Sequence, residues 1–297
     1  MNNRKILSFD GGGVRALAGL VFLAELEKHS NSKIFNIFDY FAGVSAGSLN
    51  AFGFAAKQMT SEDVQYLWSE YYLKKIKEPN SFWDRYSIIQ SRPKYDNLSK
   101  IEVLEEIFGD MNISESIKPV LSLTYNLEQR SPEIHTSYGD TDIKIIDACC
   151  ASTAAPIYFP TFKASNDNWY IDGGVASNNP TLIAFSEAQG YFSDEDLKIL
   201  SIGTGLNKRK ISGPKSSKWG GLGWLRHDIM GIMLETELEH KISKNLLKDR
   251  YLRINSPLGS INRRLDDVSE LNIKKIQDLG ITWWKNFGEE VLKFLEL

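Results

Sequence analysis

The chain has 297 residues, of which 42% are hydrophobic, and a formal net charge of −3. A chain of this length buries one large core. The net charge does not indicate a global attraction to anionic lipid, and no DNA or RNA partner is expected. No apolar run reaches the ~18 residues of a membrane span. The residues His, Cys, Asp and Glu show no metal-ligand spacing, and the two cysteines are adjacent. We therefore expect a cytoplasmic protein without a metal or cofactor.

The N-terminal segment predicts a strand over 5–9, a glycine-rich loop over 10–15 and a helix over 16–29. Glycines between a strand and a helix let backbone N–H groups converge on one anionic atom. Such a loop binds either a phosphate or the oxyanion of an acyl-transfer intermediate. This loop has neither the Gly-Lys-Ser/Thr of nucleotide hydrolases nor the glycine spacing of dinucleotide-binding folds, which favours the oxyanion.

Ser45 lies in a Gly-x-Ser-x-Gly pattern directly after an apolar run. Residues 38–42 predict a short buried strand and 48–56 a helix, which places Ser45 on the sharp turn between them. Gly43 and Gly47 lack the Cβ atoms that would clash in such a turn, and the helix N-terminus favours developing negative charge. The pattern indicates a nucleophile elbow with Ser45 as the reacting residue.

Asp172 follows the strand predicted at 169–171 and precedes Gly173 and Gly174. A serine hydroxyl needs an adjacent base to take its proton, and a carboxylate at a strand end is a candidate for that role. The alternative is an acid that only organises the turn at Gly173 and Gly174. Asp172 is therefore a candidate base whose assignment depends on its distance from Ser45.

The whole chain, 1–297, is predicted to form a single domain. A helical cap-like insertion is expected at about 60–118, followed by a strand at 120–125 and later by a helix at 142–154. A helical extension is expected at about 268–297, where apolar residues recur near helical spacing. Packing of this extension on the core is favoured over a role in an oligomer interface.

A basic segment extends from Lys208 to Leu225, within a stretch that has no Asp or Glu. It also contains Trp219 and Trp224 among glycines. Basic residues beside tryptophans suit a lipid interface, which predicts peripheral contact with a membrane. Two other interpretations stay open, namely binding of a phosphorylated ligand and a surface loop whose tryptophans fold into the core.

Three motifs in this order, Asp-Gly-Gly-Gly-x-Arg, Gly-x-Ser-x-Gly and Asp-Gly-Gly, resemble those of the patatin-like phospholipases, a family of lipid acyl hydrolases. The likeness extends from about Lys5 to Ile254. It implies a three-layer α/β/α fold with a mostly parallel central sheet. It also implies a Ser-Asp dyad that cleaves membrane phospholipid through an acyl-enzyme intermediate, with Ser45 as the nucleophile and Asp172 as the general base.

The resemblance further implies where the oxyanion binds and how the activity is regulated. The implied oxyanion site is the glycine-rich loop, formed by Gly11, Gly12, Gly13, Val14 and Arg15. Within it, Arg15 would hold the loop or strengthen its field, and Asp10 would shape it. Some bacterial patatin-like proteins are effectors that cyclic nucleotides switch on in antiviral defence, which implies a cyclic-nucleotide activator for this chain.

Two other functions stay open. An α/β-hydrolase-type esterase with a Ser-Asp-His triad would use His227 or His240, which follow Asp172 in the chain order of those enzymes. A catalytically inert protein would use the glycine-rich loop and the basic segment to hold a phosphorylated ligand. An acyl-carrier transacylase is disfavoured because Val44 stands where its elbow carries a histidine. No oligomeric state is predicted.

Overall fold

A computed structural model describes residues 3–76, 92–140, 142–193, 195–227 and 229–297. In these residues, eight strands form one mixed sheet in the order β5-β6-β3-β2-β1-β7-β8, and β4 also pairs with β3. The strands are β1 (Asn3–Phe9), β2 (Tyr40–Val44), β3 (Val120–Asn126), β4 (Ser131–Thr136), β5 (Phe162–Lys163), β6 (Trp169–Asp172), β7 (Asp196–Ile202) and β8 (Tyr251–Ile254).

The centre of the sheet is parallel. β1 pairs in parallel with β2 and β7, and the next pairs outward, β2 with β3 and β7 with β8, are parallel too. Antiparallel pairs join β3 to β4 and β6, and β5 to β6. β2 is buried along its whole length, as expected for a parallel strand that helices cover on both faces. The carboxyl ends of the parallel strands meet at one edge, where ligands bind in such sheets.

Helices cover both faces of the sheet. One face packs α1 (Leu17–Ser30), α3 (Ala46–Lys57), α7 (Ile145–Ser152) and α13 (Glu270–Leu295) in a single large core. The opposite face packs α8 (Thr181–Phe192) and α12 (Glu237–Leu247) in a smaller core. Neighbouring residues of β1, Ile6 and Leu7, enter the smaller and the larger core respectively, because strand side chains alternate. The predicted three-layer α/β fold with a mostly parallel sheet is confirmed.

The chain between α3 and β3, where an insertion is predicted at about 60–118, carries α4 (Ser61–Tyr66), α5 (Glu70–Ile76) and α6 (Leu98–Phe108). A capping box between Thr60 and Asp63 fixes the start of α4. Residues 77–91 of the predicted insertion lie outside the described residues. The short helices are α2 (Ile34–Ile37), α9 (Gly213–Ser216), α10 (Gly221–Arg226) and α11 (Ile229–Met233).

The C-terminal helix α13 occupies most of the extension predicted at 268–297 and packs along α1. Its buried side includes Ile276, Trp283 and Val291, and Gly280 allows a close approach to α1. The Trp283 indole N–H donates to Ser256 Oγ at 2.8 Å, which satisfies the polar atom of this buried ring. Over the ranges that the structure describes, no helix has the length and apolar character that a bilayer crossing requires.

Element boundaries differ from the predicted ones by a few residues. β2 begins at Tyr40, two residues later than predicted, because Phe38 ends α2. α3 begins at Ala46, so only Ser45 separates it from β2. α7 begins at Ile145, three residues later than predicted, because Lys144 forms an isolated bridge with Asn112. These shifts leave the order of the predicted elements intact.

Candidate active site

Ser45 occupies the single-residue turn between β2 and α3, with φ 55° and ψ −131°. This backbone conformation is costly for a residue with a side chain and persists only where the surroundings impose it. A Cβ on Gly43 would lie 2.2 Å from the Gly47 carbonyl oxygen, and a Cβ on Gly47 would lie 2.6 Å from the Phe9 carbonyl oxygen. Only glycine fits at either position. The turn therefore has the sharp geometry of a nucleophile elbow.

Asp172 lies at the end of β6 and brings its carboxylate to Ser45. The Ser45 hydroxyl donates to Asp172 Oδ2 at 2.7 Å, across 127 positions of the chain. The other oxygen, Oδ1, accepts the Gly174 N–H at 2.8 Å at the start of the short 3₁₀ helix Gly173–Val175. Both predicted interactions of this carboxylate, with the turn and with the serine, are thus present at once.

The Asp172 carboxylate is almost completely buried, with 5% of the residue exposed. Burial disfavours the ionised form and raises the pKa of Asp172 to about 6. The hydrogen bonds from Ser45 and Gly174 and the charge of Lys100 oppose this increase in part. A carboxylate with such a pKa is a stronger base than an exposed one, yet it is still ionised at neutral pH.

The glycine-rich loop lies against Ser45, since a Cβ on Gly11 would come within 3.1 Å of the Ser45 Cβ. Gly11 N–H donates to the Asn178 carbonyl, Val14 N–H to the Leu265 carbonyl and Arg15 N–H to the Gly12 carbonyl, at 3.1, 3.0 and 3.3 Å. These three amides therefore already have acceptors. Among the described residues, no acceptor is found for the amides of Gly12 and Gly13.

Arg253 of β8 holds the glycine-rich loop through Asp10, although the sequence did not single this arginine out. Its guanidinium donates to both carboxylate oxygens of Asp10, and to Ser201 Oγ at 2.7 Å and Thr236 Oγ1 at 3.1 Å. The side chains of Asp10 and Arg253 are both almost fully buried. Asp10 thus holds the loop by an internal ion pair, and the only hint in the sequence is an arginine inside an otherwise apolar strand.

A buried cluster of three serines supports the elbow from the other side. Ser45 N–H donates to Ser152 Oγ at 2.8 Å, and Ser152 Oγ in turn donates to the Leu123 carbonyl at 2.7 Å. Ser48 and Ser122 extend this cluster with 2.9 Å contacts between hydroxyls. Ser152 therefore links the strained backbone of Ser45 to β3. No sequence motif marked these serines.

An apolar cavity opens at Ser45, with about 900 Å³ of atom-free space including its mouth. Aliphatic and aromatic side chains form most of its wall, among them Leu49, Trp68, Leu104, Ile107 and Phe159. One cation, Lys100, lies in the wall, where its Nζ donates to the Cys150 carbonyl at 3.3 Å and lies 4.2 Å from the centre of the Phe159 ring. Burial lowers the pKa of Lys100. The cavity has the shape and chemistry to hold a hydrocarbon chain beside the serine.

Comparison with known proteins bears on this arrangement. The model of the family described as patatin-like phospholipase matches residues 7–185, which include Ser45, Asp172 and the glycine-rich loop. The chain belongs to the patatin-like phospholipase family. Membership in this family supports the activity of a lipid acyl hydrolase.

Relatives in the patatin-like phospholipase family align over nearly the whole chain. Patatin-like protein 4 of Arabidopsis thaliana is 30% identical, covering 93% of this chain and 82% of its own. Patatin-04/09 of Solanum tuberosum is 25% identical over 94% of this chain and 83% of its own. The crystal structure of VipD from Legionella pneumophila aligns with a TM-score of 0.51 and 13% identity, over 96% of this chain and 67% of that one, and supports the fold.

The four histidines of this patatin-like phospholipase have other neighbours. His29 Nδ1 lies 2.8 Å from the Glu25 carbonyl, His135 Nε2 lies 2.9 Å from Thr124 Oγ1, and His240 Nδ1 lies 2.9 Å from the Tyr251 hydroxyl. His227 stacks on Trp219 with 3.9 Å between ring centres. Within the described ranges, no hydrogen bond joins a histidine to Ser45 or Asp172.

The basic segment, Lys208 to Leu225, lies outside both cores. Trp219 is half-buried and contacts Trp224 edge-on at 5.3 Å, so the two tryptophans pack within the segment. Lys208 Nζ lies 2.9 Å from Glu237 of α12. A second cavity of about 930 Å³ lies beside the segment, and its wall includes Arg209, Lys210, Lys215, Trp219 and Arg263. The side chain of Leu225 lies outside the described part of the chain.

Proposed function

We propose that the protein is a phospholipase of the A or lysophospholipase type, in which Ser45 is the nucleophile and Asp172 is the general base. The observation that carries the proposal is the 2.7 Å hydrogen bond to a buried carboxylate from Ser45 Oγ, since Ser45 also lines the apolar cavity. A base within hydrogen-bond reach of the hydroxyl is the first geometric requirement for an activated serine. Three histidines hydrogen-bond to other groups and His227 stacks on Trp219, which favours this dyad over a Ser-Asp-His triad.

In the first half of the reaction, Asp172 accepts the hydroxyl proton while Ser45 Oγ attacks the ester carbonyl. The carbonyl oxygen becomes an alkoxide, to which the amides of Gly12 and Gly13 donate. Expulsion of the lipid alcohol, which takes the proton from Asp172, leaves an acyl ester on Ser45. Loss of one such donor costs roughly 100- to 1,000-fold in rate, so these two amides would carry much of the catalysis.

In the second half, a water molecule gives a proton to Asp172 and its oxygen attacks the acyl carbonyl. The same two amides stabilise the second alkoxide. When it collapses, Ser45 leaves and regains its proton from Asp172, and the fatty acid is released. The dyad thus returns to its starting state without a histidine, a metal or a cofactor.

Membrane phospholipid is the proposed substrate, with one acyl chain in the apolar cavity. The proposed contact of the basic segment, Lys208 to Leu225, with the membrane surface is supported by the exposure of Leu222, at 70%, among its cations.

Fatty-acid release from phospholipid vesicles tests the dyad. Ser45→Ala and Asp172→Asn should each lower the rate about 1,000-fold or more, because either change removes proton transfer in both halves. Ser260→Ala, at an exposed serine, is the matched control and should keep full activity. Loss of activity in folded His227→Ala or His240→Ala would contradict the dyad, and absence of release by the wild-type chain would favour an inert ligand-binding protein.

A cyclic-nucleotide activator, as in antiviral effectors, is a second element of the proposal. It is favoured by the cavity beside the basic segment, where four cationic side chains and the ring of Trp219 suit the phosphate and the base of a nucleotide. Fatty-acid release measured with and without cyclic nucleotides should increase on their addition, and Lys210→Glu should abolish the increase, taken as the ratio of the two rates. Equal rates with and without nucleotide would exclude gating.

A further inference from the structure

Helix α12 presents a row of aliphatic side chains to solvent. Leu238, Ile242 and Leu246 are 67%, 45% and 62% exposed, and their spacing of four residues places them along one line of the helix. The opposite side of α12 is buried through Ser243 and Leu247. Single exposed leucines are common on protein surfaces, but an aligned row on one helix indicates an interaction surface.

A second row, of lysines, runs beside the first. Lys241 and Lys244 of α12 and Lys248, the residue directly after the helix, are exposed, and their spacing of three and four residues places them beside the aliphatic row. The acids of α12 are Glu237, which pairs with Lys208, and the half-buried Glu239, while Glu235 and Asp249 lie just before and just after the helix. A helix with an apolar row flanked by lysines has the pattern of a segment that lies in a membrane interface.

The start of α12 adjoins the candidate active site. Thr236, the residue before the helix, accepts a hydrogen bond from Arg253, which in turn holds Asp10 of the glycine-rich loop. The contact between Lys208 and Glu237 joins the basic segment to the first turn. A surface bound along α12 is therefore tied, through direct contacts, to the loop that faces Ser45.

We propose that α12 docks this protein on an anionic lipid bilayer, with the leucine and isoleucine row in the interface and the lysine row against lipid phosphates. The charges distinguish a bilayer from a second copy of the chain. Two copies that met through this row would bring two sets of three lysines together. On α12 itself Glu237 already pairs with Lys208 and Glu239 is half-buried, which leaves Asp249, just beyond the helix, as the exposed acid of each copy. An anionic bilayer attracts every lysine of the row instead.

Co-sedimentation with vesicles tests the proposal, which extends the lipid hydrolase function but is measured without catalysis. All proteins carry Ser45→Ala, so that the vesicles stay intact and a failure of the proposed chemistry does not affect the result. We expect binding to phosphatidylcholine vesicles that contain phosphatidylglycerol, weakening with salt, and weaker binding to pure phosphatidylcholine. Leu238→Gln, Ile242→Gln and Leu246→Gln combined should reduce the binding at least about tenfold.

The matched control is Leu271→Gln on α13, because Leu271 is exposed to the same extent as Leu238, 67%. This control variant should bind vesicles like the parent protein. Lys241→Glu with Lys244→Glu is a second variant at exposed positions, which should keep its thermal unfolding temperature and lose most of its salt-dependent binding. Binding by both variants equal to that of the parent protein would overturn the proposal, as would no binding by the parent itself. A dimer that the triple substitution dissociates, with vesicle binding kept, would assign the row to a second copy.

Discussion

Asp172→Asn should stabilise the protein while it removes activity. In the folded chain, burial raises the pKa of Asp172 to about 6 from its ordinary value of 3.8. Between these two pH values the folded state holds a proton that the unfolded state has released, so stability falls as pH rises through this window. The full difference corresponds to about 3 kcal/mol and opposes folding above pH 7.

Asparagine removes this cost because it carries no charge at any pH. It also loses the acceptor for the Ser45 hydroxyl, a bond to an ionised group that contributes about 1.5–3 kcal/mol, although its own N–H groups can donate back to Ser45 Oγ. We therefore expect the free energy of unfolding to increase by about 1–2 kcal/mol at pH 8. The increase should shrink by about 2–3 kcal/mol between pH 8 and pH 4, where the folded wild-type carboxyl is neutral, so that at pH 4 Asp172→Asn is neutral to slightly destabilising.

Urea unfolding of both proteins between pH 4 and pH 8 measures this difference. Asp140→Asn, which removes the same charge from an exposed position, is the control and should show no comparable pH dependence. Destabilisation by Asp172→Asn of similar size at every pH would refute the reasoning, because it would mean that the carboxylate is stabilised by its partners more than it is penalised by burial.

Three further outcomes follow from the contacts around the site. Below about pH 6, the pKa of Asp172, kcat/KM should fall tenfold for each pH unit. A pH–rate profile in which the fall begins only near pH 4 would contradict the role of Asp172 as the base. Arg253→Met should lower the free energy of unfolding by about 3–5 kcal/mol because it leaves Asp10 buried without its partner, and Asp10→Asn in the same chain should recover part of the loss in urea unfolding. Ser152→Ala should lower kcat about tenfold or more with little change in KM, since it removes the acceptor of the Ser45 N–H, and steady-state kinetics that show the reverse split would assign Ser152 to substrate binding.

The three motifs could be located from the sequence because each is local. Glycines flanking Ser45 at a strand end predict one backbone geometry, and the close approaches at Gly43 and Gly47 are the physical reason that the pattern can be recognised. The same holds for the order of strands and helices, which follows from periodicity and turn residues. The family match over 7–185 confirms the identification that these motifs indicated.

The supporting contacts could not be predicted, because they join segments that are distant in the chain. The ion pair of Asp10 with Arg253 spans 243 positions, and the bond from Ser45 N–H to Ser152 spans 107. Neither residue type nor spacing marks such a partner when only one sequence is read. Similarly, the sequence does not distinguish the amides of the glycine-rich loop from one another. In the fold, Val14 N–H donates to the Leu265 carbonyl, whereas the amides of Gly12 and Gly13 have no acceptor among the described residues.

The site contains two buried carboxylates, Asp10 and Asp172, whose charges are balanced to different degrees. Asp10 is buried with an arginine that balances it, whereas Asp172 is buried with a hydroxyl and one amide that balance it only in part. Both carboxylates have a pKa raised by desolvation, yet only the second accepts the hydrogen bond of Ser45, which lines the apolar cavity. Because the charge of Asp172 is only partly compensated, its burial costs stability and makes this carboxylate the stronger base. We therefore assign the proton transfer to Asp172 and the positioning of the glycine-rich loop to Asp10.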